Sequence, residues 1–190
     1  GHAEGIEALR VAFESQGVKV RPPVVSHAFH SQLMDPMLDA FREVAEGIHL
    51  RKPTLPVVSN VSGDVAGDEI ATADYWVKHV RGAVRFCDGI RAALDEGANV
   101  FVELGPDPVL CSLGARSARE GDQATWLPSL RKKNADTEQI AATLAELHVQ
   151  GSEIEWQEAF ADTMGRRVVL PTYAFQRKRY WLEPSAVHLA

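Results

Sequence analysis

Apolar residues recur along this chain in two rhythms, and the changes from one to the other mark out its elements. Ile6, Leu9 and Phe13 fall at helical spacing, and Gly17 is the residue that can end that helix in a left-handed turn. Val18–Ser26 then alternates or runs apolar as a strand does, so a helix and a strand are expected before the histidines at 27 and 30. Met34, Met37, Leu38, Phe41, Val44, Ala45 and Ile48 form one stripe of a second helix, with Ser31 or Asp35 available as N-cap and Pro36 tolerated only in its first turn. Leu55–Ser59 is short, apolar and β-branched, which predicts a buried strand, with Asn60 and Gly63 in the loop that closes it. Helical patterns follow, then a second apolar strand, Val100–Leu104. Gly105-Pro106-Asp107-Pro108 should turn the chain into another helix, with Asp107 as cap and Pro108 at the first helical position. The polar run Arg119–Gln123 is the best boundary candidate, and Trp126–Leu130 restarts an ordered segment. Ile140, Leu144 and Leu147 mark a further amphipathic helix closed by Gly151, followed by Ile154–Trp156 and an extended tail from Val168 to Leu182. Strands alternating with helices predict an α/β architecture with parallel strands. No internal repeat or low-complexity tract interrupts it.

Composition narrows the function classes. A chain of 190 residues with 45% hydrophobic and 24% charged content belongs with soluble globular proteins. A formal net charge of -6 argues against general affinity for nucleic acid or an anionic membrane, since both call for a basic surface. No apolar run approaches the roughly 20 residues needed to span a bilayer. The start Gly1-His2-Ala3-Glu4 lacks the regions of a signal peptide and reads as the cut end of a longer protein. Two cysteines, Cys87 and Cys111, make no disulfide framework and stand in no CxxC pair, which suits a reducing cytoplasm.

The chemistry concentrates in Ser26-His27-Ala28-Phe29-His30-Ser31. A ring just before a helix N-terminus meets the positive end of the macrodipole, which favours neutral imidazole, the form that accepts a proton. His30 is therefore a candidate general base. Such a base commonly serves a serine or cysteine, and the sharpest sign of one is a Gly-x-Ser-x-Gly elbow after a strand. The nearest approach is Ser112-Leu113-Gly114, where Leu110 stands in place of the first glycine. His27 and His30 have i, i+3 spacing, yet no third ligand stands at supporting distance in the sequence, so no metal site is expected. Cys111 lacks the basic neighbours that would activate a thiol and is assigned to the core.

The segment VSHAFHSQLMDPMLDAFREV resembles the second half of the acyltransferase domain of modular type I polyketide synthases, relatives of malonyl-CoA:acyl carrier protein transacylases. PVVSNVSGDV, DYWVKHVRGAVRF and VFVELGPDPVL fit the same domain in the same order, and LPTYAFQRKRYWLE resembles the linker that follows it. The resemblance implies a remnant of a ferredoxin-like subdomain over residues 1–30, the C-terminal part of a hydrolase-like α/β core over 31–120, and a post-acyltransferase linker over 121–190. The family's serine elbow, its glutamine-containing N-terminal loop and the arginine that grips the malonyl carboxylate do not occur here. The nucleophile and the front half of the domain are therefore expected from outside these residues, and the chain alone is expected to be inactive.

By the same resemblance, His30 takes the proton from that serine as it attacks the thioester and returns it to the leaving thiol. Its other ring nitrogen should meet a main-chain carbonyl that by motif position falls at His79 or a neighbour. His27 and Phe29 belong to the substrate pocket. The motif His-Ala-Phe-His goes with malonyl units and Tyr-Ala-Ser-His with methylmalonyl, the phenyl ring filling the space an α-methyl would occupy. The implied partners are malonyl-CoA, an acyl carrier protein bearing the phosphopantetheine, and an adjacent ketosynthase on which the aromatic tail docks; the domain itself would bind no cofactor. The alternative is a non-catalytic docking module that joins acyltransferase to ketosynthase and carrier protein.

Overall fold

A computed structural model of the chain describes residues 1–20, 27–161, 165 and 168–181. The chain divides into two compact units, residues 1–153 and 154–190. In the first, helix α1 (Ala3–Ser15) ends as its apolar spacing predicts: Gly17 takes φ +77°, and the Gly17 and Val18 amides donate to Glu14 and Phe13. None of its residues is buried. The strand expected over Val18–Ser26 falls, beyond Val20, outside the described residues.

The second apolar stripe becomes two elements rather than one. Gln32–Met37 is a 3₁₀ helix containing Pro36, and helix α2 (Leu38–Glu46) continues from it. Ser31 is the cap, its hydroxyl oxygen accepting from the Leu33 amide, whereas Asp35 pairs with Arg81 at 2.5 Å. Met34 and Ala45 are buried, while Val44 and Ile48 face solvent.

Leu55–Ser59 is not a strand. Its pairing is a single antiparallel bridge between Val58 and Val65 across the turn that Gly63 closes with φ +74°. The amide of Ser59 donates to Asp64 and that of Ala66 to Val57, so the run stays extended with no ladder to join. Ser59, in this turn, is only 1% exposed. A Cβ at Gly63 would stand 2.6 Å from the Cβ of Asp88, so the turn packs directly on helix α4 (Phe86–Asp95). In chain order helix α3 (Ala73–Arg81) comes between them, capped by Thr72, whose hydroxyl oxygen accepts from the Tyr75 amide.

Strand β1 (Val100–Glu103) leads through helix α5 (Val109–Ser117) to strand β2 (Thr125–Pro128), and the two strands pair in parallel, Val100 opposite Thr125 and Glu103 opposite Pro128. This strand–helix–strand unit is the α/β element that alternation predicted. Phe101 and Trp126 stack across it at 4.3 Å, and Trp126 presses so closely on α5 that a Cβ at Gly114 would lie 2.2 Å from its ring. Gly114 thus serves close packing, and Ser112 donates to the carbonyl of Pro108 within the same helix, so no nucleophile elbow forms there.

The cap of α5 is also corrected. Asp107 pairs with Lys132 at 2.7 Å, and Glu103, at the end of β1, accepts from the amides of Leu110 and Cys111 at 2.9 and 2.7 Å. Partial burial pushes the Glu103 carboxyl up, but these amides, with the Cys111 thiol and the Val109 amide, outweigh it and hold the group below the ordinary carboxylate range. Cys111 is buried, and burial followed by the neighbouring Glu103 pushes its thiol up, away from thiolate chemistry.

Helix α6 (Asp136–Val149) covers β2 through polar groups. Thr143 donates to the Pro128 carbonyl at 2.8 Å, Gln139 reaches the same oxygen, and both residues are buried, whereas Ile140 is exposed. Strand β2 and α6 lie beyond residues 119–123, so the boundary expected there is internal to the first unit. A chain break at that run would strip β1 of its parallel partner. In the second unit, Trp156–Ala159 forms the short helix α7, and residues 168–181 run without helix or strand.

Candidate active site

His30 stands at φ +60°, in the left-handed region that a non-glycine residue rarely enters; among the described residues no other non-glycine does so. What holds it there is the carbonyl end of α3. The last carbonyls of a helix lack intrahelical donors, and His30 supplies two. Its backbone N–H donates to Val80 O at 3.0 Å, and its ring Nδ1 meets Gly82 O at 2.8 Å. Ser31 completes the loop by donating to Ala28 O at 2.7 Å. The ring therefore faces the carbonyl end of an α-helix, not the N-terminus expected from sequence, and the helical turn that follows it is 3₁₀.

A carbonyl oxygen can only accept, so the contact requires hydrogen on Nδ1 and leaves the lone pair on Nε2. That is the tautomer a general base needs. The carbonyl is Gly82's; the sequence placed it at His79 or a neighbour. His79 and Gly82 are a turn apart at the end of the helix, and Gly82, the C-cap, has extended backbone (φ -73°, ψ 154°) that swings its oxygen off the helix axis. Glycine is needed there, since a Cβ would sit 2.9 Å from the Lys78 carbonyl. The sequence signal was available: a glycine directly after Arg81, at the end of a helical pattern.

His79 approaches His30 by its ring instead. The two imidazoles meet edge-on with centroids 5.8 Å apart, and Tyr75 stacks on His79 at 6.1 Å. Burial, then the charge that His30 can carry, lowers the pKa of His79. Phe29 is half-exposed, 5.8 Å from the His27 ring and 6.5 Å from that of His30. The sequence-predicted residues His27, Phe29, His30 and His79 thus form one run of rings at the mouth of the loop. Among the described residues no group of three or more His, Cys, Asp or Glu side chains could hold a metal ion, and no helix is long and apolar enough to cross a membrane.

Residues 1–154 match the family model described as the acyl transferase domain. The chain belongs to that family. It is 44% identical over 189 residues to polyketide synthase GfsA of Streptomyces halstedii, covering 98% of this chain and 2% of that protein. It is 42% identical over 198 residues to the PKS-NRPS hybrid synthetase ATPKS of Aspergillus niger, covering 96% of this chain and 11% of that one. Among solved structures, the acyltransferase domain from the second module of the salinomycin polyketide synthase superposes with a TM-score of 0.78 at 41% identity, over 92% of this chain and 41% of that chain. The chain therefore spans a small part of these curated relatives and well under half of that solved domain. Family and fold agree with the sequence reading: an α/β chain of the acyl transferase domain family, similar to such domains of polyketide synthases.

Proposed function

We propose that this chain carries the general base and part of the extender-unit pocket of a polyketide synthase acyltransferase that moves malonyl units from coenzyme A to an acyl carrier protein. The observation that supports it best is the His30 Nδ1 contact with Gly82 O, which leaves Nε2 as proton acceptor. In the first half-reaction, Nε2 takes the proton of a serine supplied from outside these residues as the serine oxygen attacks the malonyl thioester. The tetrahedral intermediate collapses, the C–S bond breaks, and the imidazolium returns the proton to the coenzyme A sulfur. The second half-reaction repeats this with the phosphopantetheine thiol of the carrier protein as nucleophile and the serine oxygen as leaving group. No resident cofactor or metal is required, and the reaction belongs in the cytoplasm, where malonyl-CoA is available and Cys87 and Cys111 stay free.

Phe29 and His27 choose the extender unit in this reading. Phe29 is 53% exposed with its ring 6.5 Å from that of His30, which supports a place for it beside the acyl group's α-carbon in this reading. The second role we propose is docking: Tyr173, Phe175, Tyr180 and Trp181 are each at least 71% exposed in the extended tail and offer aromatic anchors to a ketosynthase surface.

Two measurements test this. Intact-mass analysis of the chain after incubation with malonyl-CoA should show no stable adduct; an adduct would mean a nucleophile resides within it. In the complete acyltransferase, His30→Ala should lower self-acylation by about 10²-fold or more. Near-normal acylation would remove His30 from the mechanism.

A further inference from the structure

The strained backbone of His30 fixes where the imidazole starts, and the single hydrogen bond on its ring resists turning about the Cβ–Cγ bond only modestly. An imidazole that turned would exchange Nδ1 for a carbon at the Gly82 carbonyl and free the ring to take the other tautomer. Something must occupy the space beside it. The group found there is the ring of His79, edge-on at 5.8 Å, with the two ring planes at 81°.

His79 is in turn confined. Tyr75, one helical turn earlier on α3, stacks on it at 6.1 Å with planes 29° apart, and Trp76 leans on it at 5.7 Å. Tyr75 is itself buried, and its hydroxyl lies 2.8 Å from the hydroxyl of Ser59, which is 1% exposed at the start of the turn over residues 59–64. The amides of Val61 and Ser62 already donate to the Ser59 oxygen, at 3.0 and 3.3 Å, which favours Ser59 as donor to Tyr75. Trp76 is tied down as well, its indole N–H donating to Ile70 O at 3.0 Å. The run from Ser59 through Tyr75 and His79 to His30 is thus continuous, with its far end anchored in a turn that packs on α4.

We propose that His79 is a positioning residue for His30, acting through its ring, and that Tyr75, pinned by Ser59, holds His79 in place. The inference rests on His30 being the base, as proposed above. It also gives a role to the two bulky aromatic residues of α3, Tyr75 and Trp76, which both pack on the ring that braces His30.

The test is ¹⁵N NMR of the His30 ring in the 190-residue chain, without substrate, at a pH where the imidazole is neutral. In the wild-type chain the Nδ1–H tautomer should exceed the other by about tenfold or more, the ratio expected for one well-made hydrogen bond. His79→Ala should bring that ratio severalfold closer to parity, and His79→Phe, which restores a flat ring without ionisable nitrogens, should recover most of it. Tyr75→Phe removes one hydroxyl and keeps the ring, and it should shift the ratio in the same direction by less. It also decides the matter if His79→Ala fails to fold, as circular dichroism would show. An unchanged ratio in every folded variant overturns the brace and leaves the general base in place. A wild-type ring already in the Nε2–H form overturns the base geometry, and the proposed function with it.

Discussion

Replacing Glu103 with glutamine separates two accounts of how α5 is held against β1, and through β1 how the α/β unit is assembled. Sequence alone points to Asp107 as the cap, but the amides of Leu110 and Cys111 donate to opposite oxygens of Glu103. Glutamine is nearly isosteric, but one of its two terminal atoms becomes a donor and faces an N–H, so one charge-assisted bond is lost and the other weakened. Such bonds contribute roughly 1.5–3 kcal/mol each when well enclosed. Glu103 is only partly enclosed, so the expected cost is about 1–2 kcal/mol, in line with the loss of an N-cap. With a urea dependence of about 2 kcal/mol per molar, the unfolding midpoint should fall by roughly 0.5–1 M. Trp126, stacked on Phe101 beside this helix, supplies the fluorescence signal. Asp107→Ala removes a surface ion pair and should leave the midpoint where it is. The pH dependence gives a second check. The Glu103 carboxyl titrates lower in the folded chain than in the unfolded one, so its contribution is present above the ordinary carboxylate range and is lost as pH falls through the folded value. The wild-type and glutamine chains should therefore converge in acid. A midpoint unmoved at neutral pH, or a difference that persists in acid, would refute the reasoning.

Three further outcomes are expected. Gly114→Ala places a Cβ 2.2 Å from the Trp126 ring and should destabilise the chain by about 3 kcal/mol, seen as a melting temperature lower by roughly 6–12 °C; an unchanged melt would show that Trp126 moves aside freely. In His30→Ala, His79 should titrate at higher pH than in the wild-type chain, because burial still lowers it but the charge of His30 no longer does; an identical NMR titration curve would mean that the two rings do not sense one another. As His79 binds its proton more readily when unfolded, acidification through the ordinary histidine range should also favour unfolding. In the complete acyltransferase, Phe29→Ser with His27→Tyr should shift the ratio of kcat/KM values toward methylmalonyl-CoA by about 10-fold or more, as one methyl is worth roughly 1–3 kcal/mol in such a pocket. A ratio that stays put would place selection elsewhere.

The elements that sequence predicted well are those whose signal is local. The stops at Gly17 and Gly151, the strand at Val100 and the helix after Pro108 depend on residues within a turn of the event they control. Leu55–Ser59 reads as a strand because β-branched residues suit one, but strand formation needs a neighbour, and Val65 offers a single bridge. Glu103 was overlooked as a cap because it reaches α5 from a strand, across a loop, whereas capping patterns look one to three residues ahead. The sequence singles out His27, Phe29, His30 and His79 as candidates, and the structure gathers their rings together. For Gly82 the sequence marks a helix end but not the contact, because its contribution is a peptide oxygen that every residue carries, and only the end of α3 makes that oxygen available.

That last feature bears on how segments of this kind can be exchanged between synthases. Because the partner of His30 is a main-chain atom, no substitution deletes it; a change can only move it, by shifting the end of α3 relative to the loop at 27–31. A graft that transplants His27–Ser31 alone brings the side chains proposed to choose an extender unit but leaves behind the helix end that seats His30. The natural cassette runs from the loop through Gly82 and includes the Ser59 turn, and hybrids cut outside those limits should keep both their choice of substrate and their speed.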